Sequence, residues 1–265
     1  MSADTQPDST DGETTENETM DTDGRAASEA DAGSAPLLAL SDVHTYYGES
    51  HVLEGVSLDV REGEVVALVG RNGVGKTTTL RSILQLTPPR EGSIRYRDMG
   101  LIGRRTHEVA SAGIGWIPEE RRMFAELTVA ENVRIAAPAD GTERARATAF
   151  ETFPDLERFA DRKAGTLSGG QQQMLAIARG LVGGNDLLLV DEPSEGLAPQ
   201  IVASVAETIA DVAGDTTILL VEQNLPLALD LADRFYVLDN GQVVASGDTD
   251  DVNSDDEALR GYLSA

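Results

Sequence analysis

Eight residues, Gly70-Arg71-Asn72-Gly73-Val74-Gly75-Lys76-Thr77, follow directly on the apolar run Val65 to Val69 and open a stretch of helical character. Their glycines, lysine and hydroxyl carry the spacing of a phosphate-binding loop set between a strand and a helix. Glycines let the backbone curl until successive N–H groups point at phosphate oxygens, and the helix start adds partial positive charge. Lys76 is expected to reach the β and γ phosphates of a nucleotide. Thr77 is expected to place its hydroxyl on Mg2+, a cation that takes oxygen ligands and keeps several waters.

A second constellation lies at Leu187-Leu188-Leu189-Val190-Asp191-Glu192, a buried-strand pattern ending in two adjacent carboxylates. Open parallel sheets present ligands at such strand ends. Successive strand side chains point to opposite faces, so Asp191 and Glu192 are expected to divide the work. Asp191 would steer Mg2+ through its waters, and Glu192 would orient and polarise an attacking water as general base.

These groups need a scaffold. Val65 to Val69, Leu187 to Val190 and Ile218 to Val221 are short continuous apolar runs, as in strands covered on both faces. Each precedes a helical stretch, at Gly75 to Leu86, Gln200 to Ala213 and Leu225 to Ala232. Strand alternating with helix implies an α/β fold around a parallel sheet. Leu37 to Val43, Val56 to Val60, Ile94 to Arg97, Phe235 to Leu238 and Val243 to Ala245 add edge or antiparallel strands. Between Leu127 and Val182 the pattern turns helical and Ala-rich, which reads as an inserted helical lobe.

The third constellation is Leu167-Ser168-Gly169-Gly170-Gln171, which opens an amphipathic helix running through Val182. With the two preceding constellations it resembles the ATP-binding cassette family, over essentially Leu37 to Ala265. The resemblance implies a P-loop NTPase core with an antiparallel β subdomain and a helical subdomain at about residues 119–185, within a domain spanning 36–265. It implies ATP and Mg2+ as ligands, with the backbone and side chains from Gly70 to Thr78 around the phosphates. It further implies that Ser168, Gly169, Gly170 and Gln171 bind the γ-phosphate of a nucleotide held by a second cassette. One chain therefore carries half of each of two sites.

Other positions follow from the same resemblance. Tyr47 stands where the family stacks an aromatic ring on adenine. Glu119 stands where most cassettes carry a glutamine that touches Mg2+ and signals to the membrane subunit. Gln223 stands where most carry a histidine on the γ-phosphate, and Glu195-Gly196-Leu197-Ala198 replaces a loop that usually ends in aspartate. A carboxamide at Gln223 can still hydrogen-bond phosphate but does not titrate near pH 7. The remaining histidines, His44, His51 and His107, read as solvated or structural.

The departures are similar to one ATPase subunit of the branched-chain amino acid importers. They include Pro118-Glu119 with Arg121-Arg122-Met123-Phe124, the run Asp191 to Pro199, and Val221-Glu222-Gln223-Asn224. Tyr47-Gly48-Glu49-Ser50-His51, Gly70 to Val74 and the Glu195-Gly196 pair are closer to the urea and short-amide importers, which stand as the alternative. Such a chain would work with a second cassette, heterologous or a copy of itself. Beneath two membrane permeases it would serve an external solute-binding protein, from the cytoplasmic side of the membrane. Arg121 to Val133 would help form the groove that receives a permease helix. Two other classes are a non-transport cassette acting on ribosomes or DNA and a non-hydrolysing nucleotide-binding module. The single set of motifs disfavours the first and Glu192 the second.

Composition agrees with a protein partner rather than nucleic acid. The 265 residues carry 46 acids against 21 bases, a net charge of -25, and no cysteine. Only Lys76 and Lys163 among the bases are lysines. Phosphate backbones demand clustered cations, so no nucleic-acid partner is expected. The acidic, lysine-poor balance resembles proteins of salt-loving archaea, whose self-repulsion is screened within roughly 3 Å in molar salt. Met1 to Ala35 contains ten acids, one base and almost no large apolar side chains. It reads as a disordered acidic tail, since it offers too little apolar surface to offset ordering entropy. It lacks the basic start and apolar middle expected of a secretory signal, and no later run approaches the ~18 apolar residues of a membrane helix.

Overall fold

The computed structural model describes residues 35–263 apart from 121, 139, 214–215 and 253–255. The acidic tail expected over 1–35 lies outside the described residues except for Ala35, as does Arg121. The strands are β1 (Leu38–Tyr47), β2 (Ser50–Val60), β3 (Val65–Val69), β4 (Glu91–Tyr96), β5 (Met99–Gly100), β6 (Ile114–Ile117), β7 (Leu187–Asp191), β8 (Thr217–Glu222), β9 (Arg234–Asp239) and β10 (Gln242–Asp248). The helices are α1 (Lys76–Ile83), α2 (Thr106–Ser111), α3 (Val129–Ala136), α4 (Thr142–Thr152), α5 (Pro154–Glu157), α6 (Gly169–Leu181), α7 (Pro199–Val212), α8 (Leu225–Leu231) and α9 (Glu257–Leu263).

The main sheet has the order β10-β9-β3-β8-β7-β6, parallel from β9 to β6, with β10 antiparallel at one edge. A second sheet, β2-β1-β4-β5, is antiparallel throughout. This is the α/β architecture expected from the apolar runs. The helices α3 to α6 fall between β6 and β7 in the chain. Among the described residues no helix is long and apolar enough to cross a membrane.

The continuous apolar strands are continuous because both faces are covered. Val65, Ala67 and Val69 pack into one core with residues of α3 to α8, whereas Val66 and Leu68 face the other core, shared with α1 and the second sheet. The pleat thus divides one five-residue run between two cores. Strand β10 sits at an edge and alternates exposed with half-buried positions.

Strand β6 is absent from the sequence reading. Gly113, Gly115 and Pro118 break up its apolar pattern, and only pairing with Leu187–Val190 makes it a strand. Helix α1 is shorter than the expected Gly75 to Leu86. It stops where Gln85 adopts φ 56. The N–H groups of Leu86 and Gln85 turn back onto the carbonyls of Arg81 (2.9 Å) and Ser82 (3.1 Å), a Schellman stop that satisfies the last turn. Helices α3 and α6 both start on capping boxes, Thr128 with Glu131 and Ser168 with Gln171.

Candidate active site

Strand β3 delivers the chain to the middle of the sheet, between β8 and β9, and the phosphate-loop candidate starts there. Two of its glycines are dictated by space. A Cβ at Gly70 would stand 2.4 Å from the Leu238 carbonyl oxygen, and one at Gly75, where φ is +116, would stand 2.7 Å from Leu53 Cδ2. The curl brings Lys76 back over its own loop. Its Nζ donates to the carbonyls of Gly70 (2.7 Å) and Arg71 (2.9 Å) and pairs with Glu192 Oε1 at 3.0 Å, with only 3% of the lysine side chain exposed. Thr77 Oγ1 donates to Asp191 Oδ1 at 3.1 Å, and Thr78 is buried beside it.

The two carboxylates after β7 do not diverge as strand alternation predicts. Glu192 takes φ 45, which ends the pleat at Asp191 and turns the next side chain back toward α1. Its N–H stays tied to Val221 of the neighbouring β8 at 2.9 Å. Asp191 and Glu192 thus meet Thr77 and Lys76, consecutive residues of one helical turn. Burial, with the charges of Glu192 and Glu119 added, pushes the Asp191 carboxyl up to about 6 against the opposing hydrogen bond from Thr77.

A further carboxylate belongs here that the sequence reading treats only as a loop substitution. Glu195 shares a hydrogen bond with Glu192, and that contact together with partial burial and the charges of Glu192 and Glu119 pushes it up to about 7. The signal in the sequence is the spacing Glu192-Pro193-Ser194-Glu195 in a tight turn, closed by the Glu195 N–H on the Glu192 carbonyl at 3.1 Å. Glu222, at the end of β8, is also unassigned by the sequence reading. It is buried, which raises its carboxyl, and it accepts from the Ser194 N–H (3.1 Å), the Ser194 hydroxyl (3.0 Å) and the Asn224 N–H (3.3 Å). Gln223 follows it, exposed, and lines a cavity of about 280 Å3 with Glu192, Ser194 and Glu195.

Tyr47 is 43% exposed, and its hydroxyl accepts from Thr87 (3.3 Å) and Arg81 of α1 (3.4 Å). Its neighbour Tyr46 stacks on His51 at 4.1 Å instead, and His51 in turn meets His44, whose other ring nitrogen faces Asp42. Asn72, Gly73 and Val74 line a second cavity of about 480 Å3 with His51. Arg71 turns its side chain away from the loop, Nε donating to the Tyr262 carbonyl of α9 at 3.0 Å. Ser168 is exposed and caps its own helix, its Oγ accepting from the Gln171 N–H at 3.3 Å while Gln171 Oε1 accepts from the Ser168 N–H at 3.0 Å. Gly170 lies against Ile201 of α7.

The donor set suits a hard cation and a phosphate. Thr77 and Asp191 offer oxygen only, and a buried carboxyl pushed up to about 6 is a site short of positive charge. Among the described residues no three His, Cys, Asp or Glu are grouped to hold a metal alone. Mg2+ is ordinarily held by one or two carboxylates together with water and substrate phosphates.

The ABC transporter domain family matches residues 53–195, from β2 to the turn that carries Glu192 and Glu195. A transport ATP-binding protein of Pseudomonas aeruginosa, BraG, for high-affinity branched-chain amino acid transport, is 42% identical over 212 residues, covering 78% of this chain and 91% of its own. The chain belongs to the ABC transporter family. The cassette is accordingly an ATPase. The probable branched-chain amino acid transport ATP-binding protein LivF of Archaeoglobus fulgidus is 37% identical over 80% of this cassette and 92% of itself. Among solved structures, the ADP conformation of the ATP-binding cassette MJ1267 superposes with a TM-score of 0.74 at 27% identity, over 88% of this cassette and all of that chain. A dimeric post-hydrolysis state of the cassette MJ0796, bound to ADP and Pi, gives 0.71 at 27% identity over 80% and 98%.

Proposed function

We propose that this cassette hydrolyses ATP to power an importer of branched-chain amino acids, bound peripherally at the cytoplasmic side of the membrane beneath two permeases. The observation that carries the solute class is the 42% identity to BraG across 91% of that protein. A second cassette completes the assembly, and a solute-binding protein outside the membrane delivers the cargo. Residues 119–185 act as its helical subdomain. The acidic, lysine-poor composition is that of a chain adapted to molar salt.

The mechanism follows from the ion pair of Lys76 with Glu192 at 3.0 Å. Without nucleotide each charge neutralises the other. When the triphosphate enters, Lys76 exchanges two loop carbonyls and Glu192 for the β and γ oxygens, and Glu192 is released to accept a proton from the attacking water. The turn at Glu192, tied to β8, aims that carboxylate. Thr77, Asp191 and Glu119 would hold Mg2+ through oxygen, and the bound cation would draw negative charge from the phosphates. Gln223 donates its amide to the γ-phosphate without a change of protonation. Tyr47 stacks on the base, and Ser168 to Gln171 meet the nucleotide of the opposing cassette.

Deleting this chain in its host and measuring uptake of labelled leucine, isoleucine and valine tests the reading. Uptake should fall at least tenfold and return with the wild-type chain but not with Glu192→Gln. Loss of urea uptake with amino-acid uptake intact would transfer the cassette to the short-amide importers. Copurification with ribosomal RNA in place of permeases would remove it from transport.

A further inference from the structure

Glu222 ends β8 with only 1% of its surface exposed, inside a chain of net charge -25. Burial raises its carboxyl, its hydrogen bonds oppose the rise, and the charge of Glu192 adds to it. A valine or threonine would end the strand without the cost of desolvating one acid beside another. Three donors offset that cost. The Ser194 N–H reaches Oε1 at 3.1 Å, while the Ser194 hydroxyl and the Asn224 N–H reach Oε2 at 3.0 and 3.3 Å.

These donors belong to two loops that line, with Glu222 itself, one cavity of about 280 Å3. In the turn after β7 every backbone N–H from residue 192 to 195 is accounted for. Glu192 donates to the Val221 carbonyl at 2.9 Å, Pro193 has no N–H, Ser194 donates to Glu222, and Glu195 closes the turn on Glu192 at 3.1 Å. Both tethers of the turn thus end on consecutive residues of β8, and the second exists only because residue 222 carries a carboxylate. In the loop after β8, the Asn224 N–H folds back onto Glu222 while the Asn224 side chain caps α8, accepting from the Leu227 N–H at 3.3 Å. Gln223 is the residue that this fold-back encloses.

We propose that Glu222 is a positioning residue for ATP hydrolysis: its side chain clamps the turn that carries Glu192 to the loop that carries Gln223, and so fixes the separation between the general base and the amide that meets the γ-phosphate. This rests on the roles assigned above to Glu192 and Gln223, and adds what keeps the two in register. A misplacement of about 1 Å between reacting groups costs on the order of 100-fold in rate. ATP itself is gripped by the phosphate loop and Tyr47, so the clamp acts on turnover and not on affinity.

The full chain is purified from its host with its partner subunits, and ATP hydrolysis and binding of labelled ATP are measured side by side. Glu222→Gln exchanges one acceptor oxygen for an NH2 that faces donors, and should lower kcat about tenfold or more while Kd for ATP stays within about twofold. Ser194→Ala deletes one donor at a half-buried position and should lower kcat in the same manner, whereas Ser194→Thr keeps the hydroxyl and should restore it. Because both changes break one bond, the double variant Glu222→Gln with Ser194→Ala should fall no further than the worse single variant. Full turnover in Glu222→Gln and Ser194→Ala, with Glu192→Gln inactive, overturns the clamp and leaves the base in place. Turnover in Glu192→Gln overturns the reading of the base, and the clamp with it. Losses of ATP affinity that match the losses of kcat, or effects that multiply in the double variant, overturn positioning and leave Glu222 a structural acid. Should Glu222→Gln fail to fold, the Ser194→Ala loss and its rescue by Ser194→Thr decide the matter.

Discussion

Lys76, Thr77, Asp191 and Glu192 form two contacts, one an ion pair and one a hydrogen bond, that close the phosphate site on itself. Each contact predicts a distinct phenotype. Glu192→Gln removes the base and the partner of Lys76 together. Phosphate release should fall by at least about 100-fold, the usual scale for a lost general base, while ATP binding, followed by a labelled nucleotide, is retained. Wild-type turnover in that variant would refute the assignment. Asp191 predicts a pH effect. Its carboxyl titrates at 3.8 when free and at about 6 in the nucleotide-free fold. The raised value means that the folded chain keeps a proton the unfolded chain has lost. The stability it contributes is present below pH 4 and is lost as pH rises through about 6. Relative to Asp191→Asn, the wild-type chain without nucleotide or metal should lose up to about 3 kcal/mol between pH 4 and 7, at 1.36 kcal/mol per pK unit. Denaturant midpoints of both chains across that range check it.

At the scale of elements, two loops are held by structure that the motif alone does not describe. The turn after β3 tolerates no side chain at residue 70, because a Cβ would collide with the Leu238 carbonyl of β9 at 2.4 Å. Gly70→Ala should therefore displace the loop and lower ATP affinity at least tenfold, measured by nucleotide titration, since the contact is with backbone that cannot rotate aside. The loop before α6 has a structural job as well, for Ser168 caps the helix. Aspartate caps as well as serine. Ser168→Asp should hold stability within about 0.5 kcal/mol, yet reduce turnover of the assembled pair at least tenfold by facing a triphosphate with a carboxylate. Unchanged turnover would leave Ser168 a cap and nothing more. Seen this way, the glycine, lysine and hydroxyl spacings were legible because each is a local demand of one turn. Glu195 was not, because its place depends on how the turn after β7 folds back, and strand β6 was not, because its pairing partner lies some 70 residues away in the chain.

For the whole molecule the governing quantity is charge. A net charge of -25 repels itself over a screening length of about 10 Å at 0.1 M salt and roughly 3 Å at 1 M. Ion pairs relieve it only locally. The best formed is Arg234 of β9, which joins Asp59 of β2 and Glu64 just before β3, with the Asp59 carboxyl, despite partial burial, held below its usual value by Arg234. The melting temperature should therefore rise steeply from 0.1 M to about 3 M salt, where screening becomes nearly complete. Calorimetry at a series of salt concentrations decides this, and a flat profile would leave the composition without a physical role.

The sequence by itself determined the phosphate loop, the carboxylate pair, the signature helix and the parallel sheet that joins them. Each is written in residue types at fixed local spacing or in short apolar runs. Tertiary structure alone decided that Asp191 and Glu192 converge on one helical turn and that Arg71 reaches α9. Those facts depend on a left-handed residue and on neighbours distant along the chain, which periodicity does not encode.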